Sequence, residues 1–235
     1  MGYQSVFKRY ELKYLLTREQ TENLKRVLAD YMTLDQYGRS NIRNLYYDTD
    51  NYRLIRHSLE KPVYKEKLRL RSYGDPQGKN VFVELKKKFE SVVYKRRLAM
   101  PEEKALAWLA GGEWPQDHQI GREIDAFLAF YGTVEPKVFL SYDREAYFAK
   151  DGSDLRITFD DNIICRREDL HLSSEMPGDP VLDPGLVLME IKTGGGIPLW
   201  LTHALTVGKI RKTSFSKYGT AYQMYIFEGD KHHVK

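Results

Sequence analysis

Lys65, Lys67, Arg69 and Arg71 place a basic residue at every second position, with Tyr64, Glu66, Leu68 and Leu70 on the other parity. In an extended chain, alternate side chains point to opposite faces, so these four positive groups share one face of a strand. The same pattern recurs in Arg9, Glu11 and Lys13, in Glu84, Lys86 and Lys88, and in Lys95 with Arg97. Further along, Arg144 has the parity of Tyr142, Arg156 alternates with Leu155 and Ile157, and Glu190 shares a face with Lys192. A single charged strand face is an ordinary solvated surface. Repetition over so many strands predicts one polar interior, with helices covering the apolar parity.

Cations crowded into a partly dehydrated interior repel one another and lose hydration, so they need a counter-anion, which a polyanion supplies. Arg69, Arg71, Arg144 and Arg156 offer planar forks to phosphoryl oxygens, and Lys13, Lys86, Lys95 and Lys217 offer mobile point charges. Ser214 and Ser216 can add hydrogen bonds at the mouth of such an interior, and Arg9, Lys67, Lys88 and Arg97 extend its basic lining. Glu11, Glu84 and Glu190 oppose phosphate unless a hard cation intervenes. Mg²⁺ or Mn²⁺ on carboxylate oxygens reverses the sign by bridging and polarising phosphate oxygens. This equipment suits phosphoryl transfer, in which catalysis is mostly positioning and charge stabilisation.

The elements that must position these residues follow from periodicity. Phe7 to Leu15 reads as a strand; Thr17 with Gln20 forms a capping-box pattern, opening a helix with Leu24, Val27, Leu28 and Tyr31 as its apolar stripe. Strands are predicted at Ile42 to Tyr47, Val63 to Arg71, Asn80 to Lys88 and Val92 to Leu98. Pro101 opens a short helix, and a second runs from Ile120 to Tyr131. Strands return at Lys137 to Phe148, Asp154 to Asp160, Asn162 to Arg166 and Val187 to Lys192, before a helical segment from Pro198 to about Gly208. No linker composition or repeat interrupts the chain. An α+β domain on a large, mainly antiparallel sheet is expected.

The ordered segments Phe7-Lys8-Arg9-Tyr10-Glu11-Leu12-Lys13-Tyr14, Lys67 to Gly74, Val83-Glu84-Leu85-Lys86, Ser141 to Arg144, Leu155 to Thr158, Met189 to Lys192 and Ser216-Lys217-Tyr218 closely resemble the motifs of the VTC domain. This is the polyphosphate polymerase domain of the vacuolar transporter chaperone complex, in the triphosphate tunnel metalloenzyme superfamily. The resemblance covers about residues 5–223, leaving 224–235 as a tail. It implies an α+β fold with an eight-stranded antiparallel sheet closed into a tunnel barrel and flanked by helices. It also implies a metal-dependent transfer of the γ-phosphoryl group of ATP, or of another nucleoside triphosphate, to a growing polyphosphate chain. The catalytic set it implies is Lys13, Arg69, Arg71, Lys86, Arg144, Arg156 and Glu190, with Lys217 and Lys95 or Arg97 on the phosphate-binding walls. Glu190 matches the principal metal ligand for Mn²⁺ or Mg²⁺, while Glu11 and Glu84 bind metal, orient the lysines or activate water. Two other readings use the same residues: an inorganic or nucleoside triphosphatase, and a non-catalytic polyphosphate-binding module.

Composition narrows the alternatives. With 235 residues, 42% hydrophobic and 30% charged, the chain has neither a disordered nor a collagen-like composition. Residues 1–100 carry 22 basic and 12 acidic side chains, and the remainder 15 and 21, so polyanions suit the first part better than the whole. No base-reading module is evident, and nucleic acid is not an expected partner. The single cysteine, Cys165, excludes an internal disulfide and a Cys-rich metal site. No apolar run has the length of a membrane span and no signal peptide is evident, so a cytoplasmic protein is expected, and any membrane role would need a membrane-protein partner. Gly194-Gly195-Gly196 lacks Walker A spacing and reads as a bend. The six histidines form no ligand set, and Tyr46-Tyr47-Asp48-Thr49-Asp50-Asn51 reads either as a strand end with local turn bonding or as part of the mouth of the polar interior.

Overall fold

The computed structural model describes residues 10–90, 92–113 and 118–227; Arg9, Trp114, His232 and His233 lie outside them. In chain order the elements are β1 (Tyr10–Thr17), α1 (Arg18–Tyr31), β2 (Met32–Leu34), β3 (Ser40–Asp48), α2 (Arg53–Leu59), β4 (Tyr64–Tyr73), β5 (Asn80–Phe89) and β6 (Val92–Pro101). There follow α3 (Glu102–Leu109), α4 (Gln119–Tyr131), β7 (Glu135–Ala149), β8 (Arg156–Arg166), β9 (Asp179–Pro180), β10 (Leu186–Thr193), α5 (Leu199–Val207), β11 (Lys212–Thr213) and α6 (Lys217–Tyr222), which runs into a π-helical turn, Gln223–Phe227. Among the described residues no helix is long and apolar enough to cross a membrane.

The expected closed eight-stranded barrel is not found. Among the described residues eleven strands pair in the order β11-β1-β10-β8-β7-β3-β4-β5-β6, with β2 on β7 and β9 on β8, and the order ends at β11 and β6 without returning on itself. Both terminal strands are poor templates for further pairing. β11 is only two residues long, and β6 carries Lys95, Arg96 and Arg97 before ending at Pro101, which has no N–H to donate. The α+β class and the large antiparallel sheet are as expected.

The chain divides into two compact units. The first lies within Met1–Asn41, Tyr142–Ile164 and Pro180–Ser216. Here β1 pairs antiparallel with β10, so that Lys13 faces Glu190 and Glu11 faces Lys192, and β10 pairs with β8, so that Glu190 faces Thr158. The opposite parity builds this unit's core: Tyr14 and Leu16, Ile157 and Phe159, and Met189 and Ile191 pack with Leu24 and Leu28 of α1 and Leu201 and Leu205 of α5. Leu16, Leu28, Ile157, Met189 and Ile191 are fully buried, each contributing roughly 1.5–3 kcal/mol. α1 starts where the capping box predicts: the Gln20 N–H donates to the Thr17 hydroxyl at 3.1 Å, and the Thr17 N–H donates to the Gln20 side chain at 2.9 Å.

The second unit lies within Ile42–Ser141, Cys165–Asp179 and Lys217–Lys235. β3, β4, β5 and β6 form consecutive antiparallel pairs that set Tyr46 opposite Arg69, Arg69 opposite Glu84, and Glu84 opposite Arg97. Leu68, Leu70, Val81, Val83 and Leu85 point the other way, into a core closed by Leu54 of α2, Trp108 of α3, and Ile124 and Phe127 of α4. The strands predicted at Asp154 to Asp160 and Asn162 to Arg166 are one strand, β8. Asn162, at φ +49°, is the interruption that made them read as two.

Candidate functional site

In the second unit, register brings four cations to one carboxylate. Glu84, 1% exposed, lies across β4 from Arg69 and across β6 from Arg97, with Arg71 and Lys95 as diagonal neighbours. Its Oε2 accepts from Arg69 Nε at 2.8 Å and lies 2.6 Å from Arg69 Nη2 and 3.8 Å from Arg71 Nε. Its Oε1 lies 2.6 Å from Lys95 Nζ and 2.9 Å from Arg97 Nε. Burial alone would raise the Glu84 pKa, but Arg69, Arg71 and Lys95 outweigh burial and hold the carboxyl well below the usual carboxylate range. Lys95 retains 43% of its side-chain exposure, yet lost hydration, assisted by Arg69 and Arg97 and opposed by Glu84, pulls its pKa down to about 8.

The guanidinium groups are also aimed by neutral partners. Arg69 Nη1 donates to the Tyr46 hydroxyl at 3.1 Å, and Arg71 Nε donates to Asn44 Oδ1 at 2.9 Å, while Asn44 donates in turn to the Leu140 carbonyl. Arg97 lies 3.8 Å from the Phe82 ring centroid and donates to the Tyr73 hydroxyl. Next to the Glu84 row, Lys67, Lys86 and Lys95 stand opposite one another across three strands. One carboxylate beside so many cations leaves a strongly positive face, suited to a polyanion.

A second cluster, in the first unit, centres on Glu190, which is 7% exposed. Lys192 Nζ donates to Glu190 Oε2 at 2.8 Å, and Arg144 Nη2 lies 3.7 Å from the same oxygen. Lys13 Nζ lies 3.5 Å from Glu190 Oε1 and 3.4 Å from Glu11 Oε1, and donates to the Phe215 carbonyl at 2.8 Å. Arg144 is clamped in two-point fashion by the fully buried Asp160, with contacts of 2.6 and 2.7 Å. That pairing keeps the half-buried Arg144 cationic despite the opposing effect of desolvation.

The remaining predicted residues lie as follows. Arg156 is on the same strand face as Asp160, opposite Lys192, with its guanidinium 4.4 Å from the Phe148 ring centroid. Lys88 stands opposite Lys65, two positions beyond Lys86. Ser214 is exposed and Ser216 half-buried in the turn between β11 and α6, and Lys217 begins α6. Arg9 lies outside the described residues. Asp160 and Asn44 carry no site role in the sequence reading, although parity with Arg156 and Asp48 marks them as members of the polar faces. The Cys165 thiol is pushed up to about 12, chiefly by burial, and cannot serve as a thiolate nucleophile near neutrality.

The VTC domain family model matches residues 8–226. The chain belongs to the VTC domain family. Membership makes it a phosphotransferase-type enzyme with a polyphosphate-polymerase-type function in the triphosphate tunnel metalloenzyme superfamily, acting on nucleotide or polyphosphate with a divalent metal. No curated protein matches the chain. Its fold is similar to a Bacillus halodurans protein described as a proposed adenylate cyclase, with a TM-score of 0.55 and 15% identity over 94% of this chain and 98% of that one. It is also similar to a Vibrio parahaemolyticus protein described in the same way, with a TM-score of 0.51 and 12% identity over 92% of this chain and 98% of that one. At these identities the likeness is one of fold.

The donor set of the VTC-family chain can be tested against the metal. Among the described residues no group of three or more His, Cys, Asp or Glu converges on one point. Glu11 and Glu190, however, both approach a single cationic position, that of the Lys13 ammonium. Two carboxylates suit Mg²⁺, which is commonly held by one or two protein carboxylates, with water and substrate phosphates completing the octahedron. Glu84 differs, because both its oxygens already face Lys or Arg nitrogens within 3 Å.

Proposed function

We infer that this protein is a polyphosphate polymerase that uses Mg²⁺ or Mn²⁺ to transfer the γ-phosphoryl group of ATP to the terminal phosphate of a growing chain, releasing ADP. The VTC-domain match over residues 8–226 carries this reading, and the two basic clusters supply chemistry that agrees with it. A terminal phosphate oxygen attacks the γ-phosphorus. The bond from that phosphorus to the β,γ-bridging oxygen breaks, and its electron pair leaves with ADP. No protein nucleophile is needed, because the acceptor is itself an anionic oxygen.

In this mechanism Arg69, Arg71, Lys95 and Arg97 hold non-bridging oxygens, and Glu84 keeps the four cations spaced and charged. Lys67, Lys86, Lys88 and Lys217 extend the phosphate contacts, with Ser214 and Ser216 as neutral donors. Arg144, fixed by Asp160, and Lys13 stabilise charge developing on the transferred group, and Arg156 contributes a further cation. Glu190 with Glu11 would hold the metal, which would neutralise phosphate charge and polarise phosphoryl oxygens. A time-resolved balance of ADP, free phosphate and polymer tests the reading. Equal gains of ADP and polymer-bound phosphate are expected; free phosphate equal to ADP, with no polymer, would make the protein a triphosphatase.

The pH response isolates one wall residue. Lys95 is mostly protonated at pH 7 and mostly neutral at pH 9, since its pKa is about 8. Bound phosphate restores the proton, so tripolyphosphate affinity should fall between these pH values by up to about tenfold more in the wild type than in Lys95→Arg, which stays charged. Calorimetry on both proteins removes the contribution of the ligand's own titration. Identical pH profiles would exclude Lys95 from the phosphate contacts.

A further inference from the structure

Asp48 is fully buried at the end of β3, and among the described residues its carboxylate is satisfied without a cation. Oδ1 accepts from the N–H groups of Thr49 and Leu54 at 2.8 Å each, and Oδ2 accepts from the Ile55 N–H at 3.0 Å and from the Tyr218 hydroxyl at 2.9 Å. The three amides explain part of this arrangement. The residue before α2, Tyr52, is at φ +57° and gives no side-chain cap, so Asp48 reaches across to satisfy first-turn donors of α2. Capping does not require Tyr218, which comes from α6, 170 residues away in sequence.

Tyr218 is 2% exposed. Its pKa lies well above the ordinary tyrosine value, first through burial and then through the neighbouring Asp48, so the phenol stays protonated and is the donor. The ring stacks on Tyr46, with centroids 4.7 Å apart and planes inclined by 23°. Tyr46 in turn accepts from Arg69 Nη1, and the Arg69 guanidinium lies 5.9 Å from the Tyr46 ring centroid. A continuous series of contacts thus runs from Asp48 through Tyr218 and Tyr46 to Arg69. Lys217 precedes Tyr218 directly, so an anchored Tyr218 restricts where the Lys217 backbone can lie.

We propose that Asp48, Tyr218 and Tyr46 are positioning residues for phosphate binding: the Asp48–Tyr218 hydrogen bond holds the start of α6 so that Lys217 meets the phosphate chain, and the Tyr46 hydroxyl sets the orientation of Arg69. The inference rests on the phosphate-binding role given above to Lys217 and Arg69. A buried anion joined, among the described residues, only to neutral donors is a costly way to fix one helix, and the tyrosine contact couples two elements that each adjoin a phosphate-binding cation.

A double-mutant cycle tests the coupling without relying on turnover. Tyr218→Phe keeps the stacked ring and deletes only the hydroxyl. We expect it to weaken tripolyphosphate binding, read by calorimetry, by roughly threefold to tenfold, and to lose most of that effect in a Lys217→Ala background. In the polymerase assay the loss should appear in KM more than in kcat. A general structural role would give losses that add in the two backgrounds, and either additivity or wild-type affinity in Tyr218→Phe would overturn the proposal. If Tyr218→Phe lowers the folded yield, Tyr46→Phe tests the other arm, with a similar loss that should vanish in an Arg69→Lys background. A wild type that binds polyphosphate but makes none would overturn the polymerase reading, while the coupling measured by the cycle would still decide the positioning role. A wild type with no affinity for polyphosphate would overturn both.

Discussion

Glu84→Ala should destabilise the fold by about 3 kcal/mol at neutral pH, the lower end of the cost of breaking a buried ion pair, because Lys95 and Arg97 retain enough solvent to soften the loss. The variant leaves Arg69, Arg71, Lys95 and Arg97 facing one another without their shared anion. The pH dependence has a definite sign. The folded-state pKa of Glu84 is depressed from its ordinary 4.5, so its contribution is complete above that value and disappears only as pH falls through the much lower folded value. Urea titrations should therefore show the largest difference between wild type and variant near pH 5 to 6, narrowing in stronger acid and narrowing again toward pH 8, where Lys95, deprived of Glu84, sheds its proton and relieves the repulsion. Tripolyphosphate should stabilise the variant more than the wild type, because it supplies the missing negative charge to the same cations. A variant as stable as the wild type, or one that tripolyphosphate does not stabilise, would mean that these side chains do not form an anion-binding cluster.

The other large effect is expected at Glu190. Glu190→Gln keeps the side-chain size and a hydrogen-bonding oxygen for Lys192 while removing the negative charge, which faces Lys13, Lys192 and Arg144. Metal-dependent turnover should fall at least roughly tenfold, equivalent to about 1.4 kcal/mol or more of lost transition-state stabilisation. Polyphosphate binding through the Arg69 and Arg71 cluster should partly survive. Initial rates over Mg²⁺ and Mn²⁺ titrations, with calorimetry of metal binding alongside a nonhydrolysable ATP analogue, separate the two effects. Wild-type rates and metal affinity in the folded variant would remove Glu190 from the metal site.

Period-two alternation made the polar faces legible because the pleat fixes side-chain direction within a strand. Lys67, Arg69 and Arg71 needed no tertiary information to be assigned one face, nor did Glu84 and Lys86. The partner of each charge was not legible in this way. Arg144 meets Asp160 across β7 and β8, and Arg71 meets Asn44 across β3 and β4; both depend on inter-strand register, which no single strand's pattern encodes. Closure failed as an expectation for a related reason. Whether a sheet closes depends on pairing between its outermost strands, and here one is a two-residue strand and the other is charged and ends at a proline. Asn162 shows the opposite difficulty, since one residue at positive φ inside β8 disguised a continuous strand as two.

The central claim is that the phosphoryl group leaving ATP ends on a phosphate chain. Its most direct test supplies γ-labelled ATP with a preformed, unlabelled polyphosphate primer and follows the label through a single round of transfer. The account predicts label at the chain terminus in amounts equal to the ADP formed, dependent on added Mg²⁺ or Mn²⁺. Label recovered wholly as free orthophosphate, with the primer unlabelled at every time point, would contradict it.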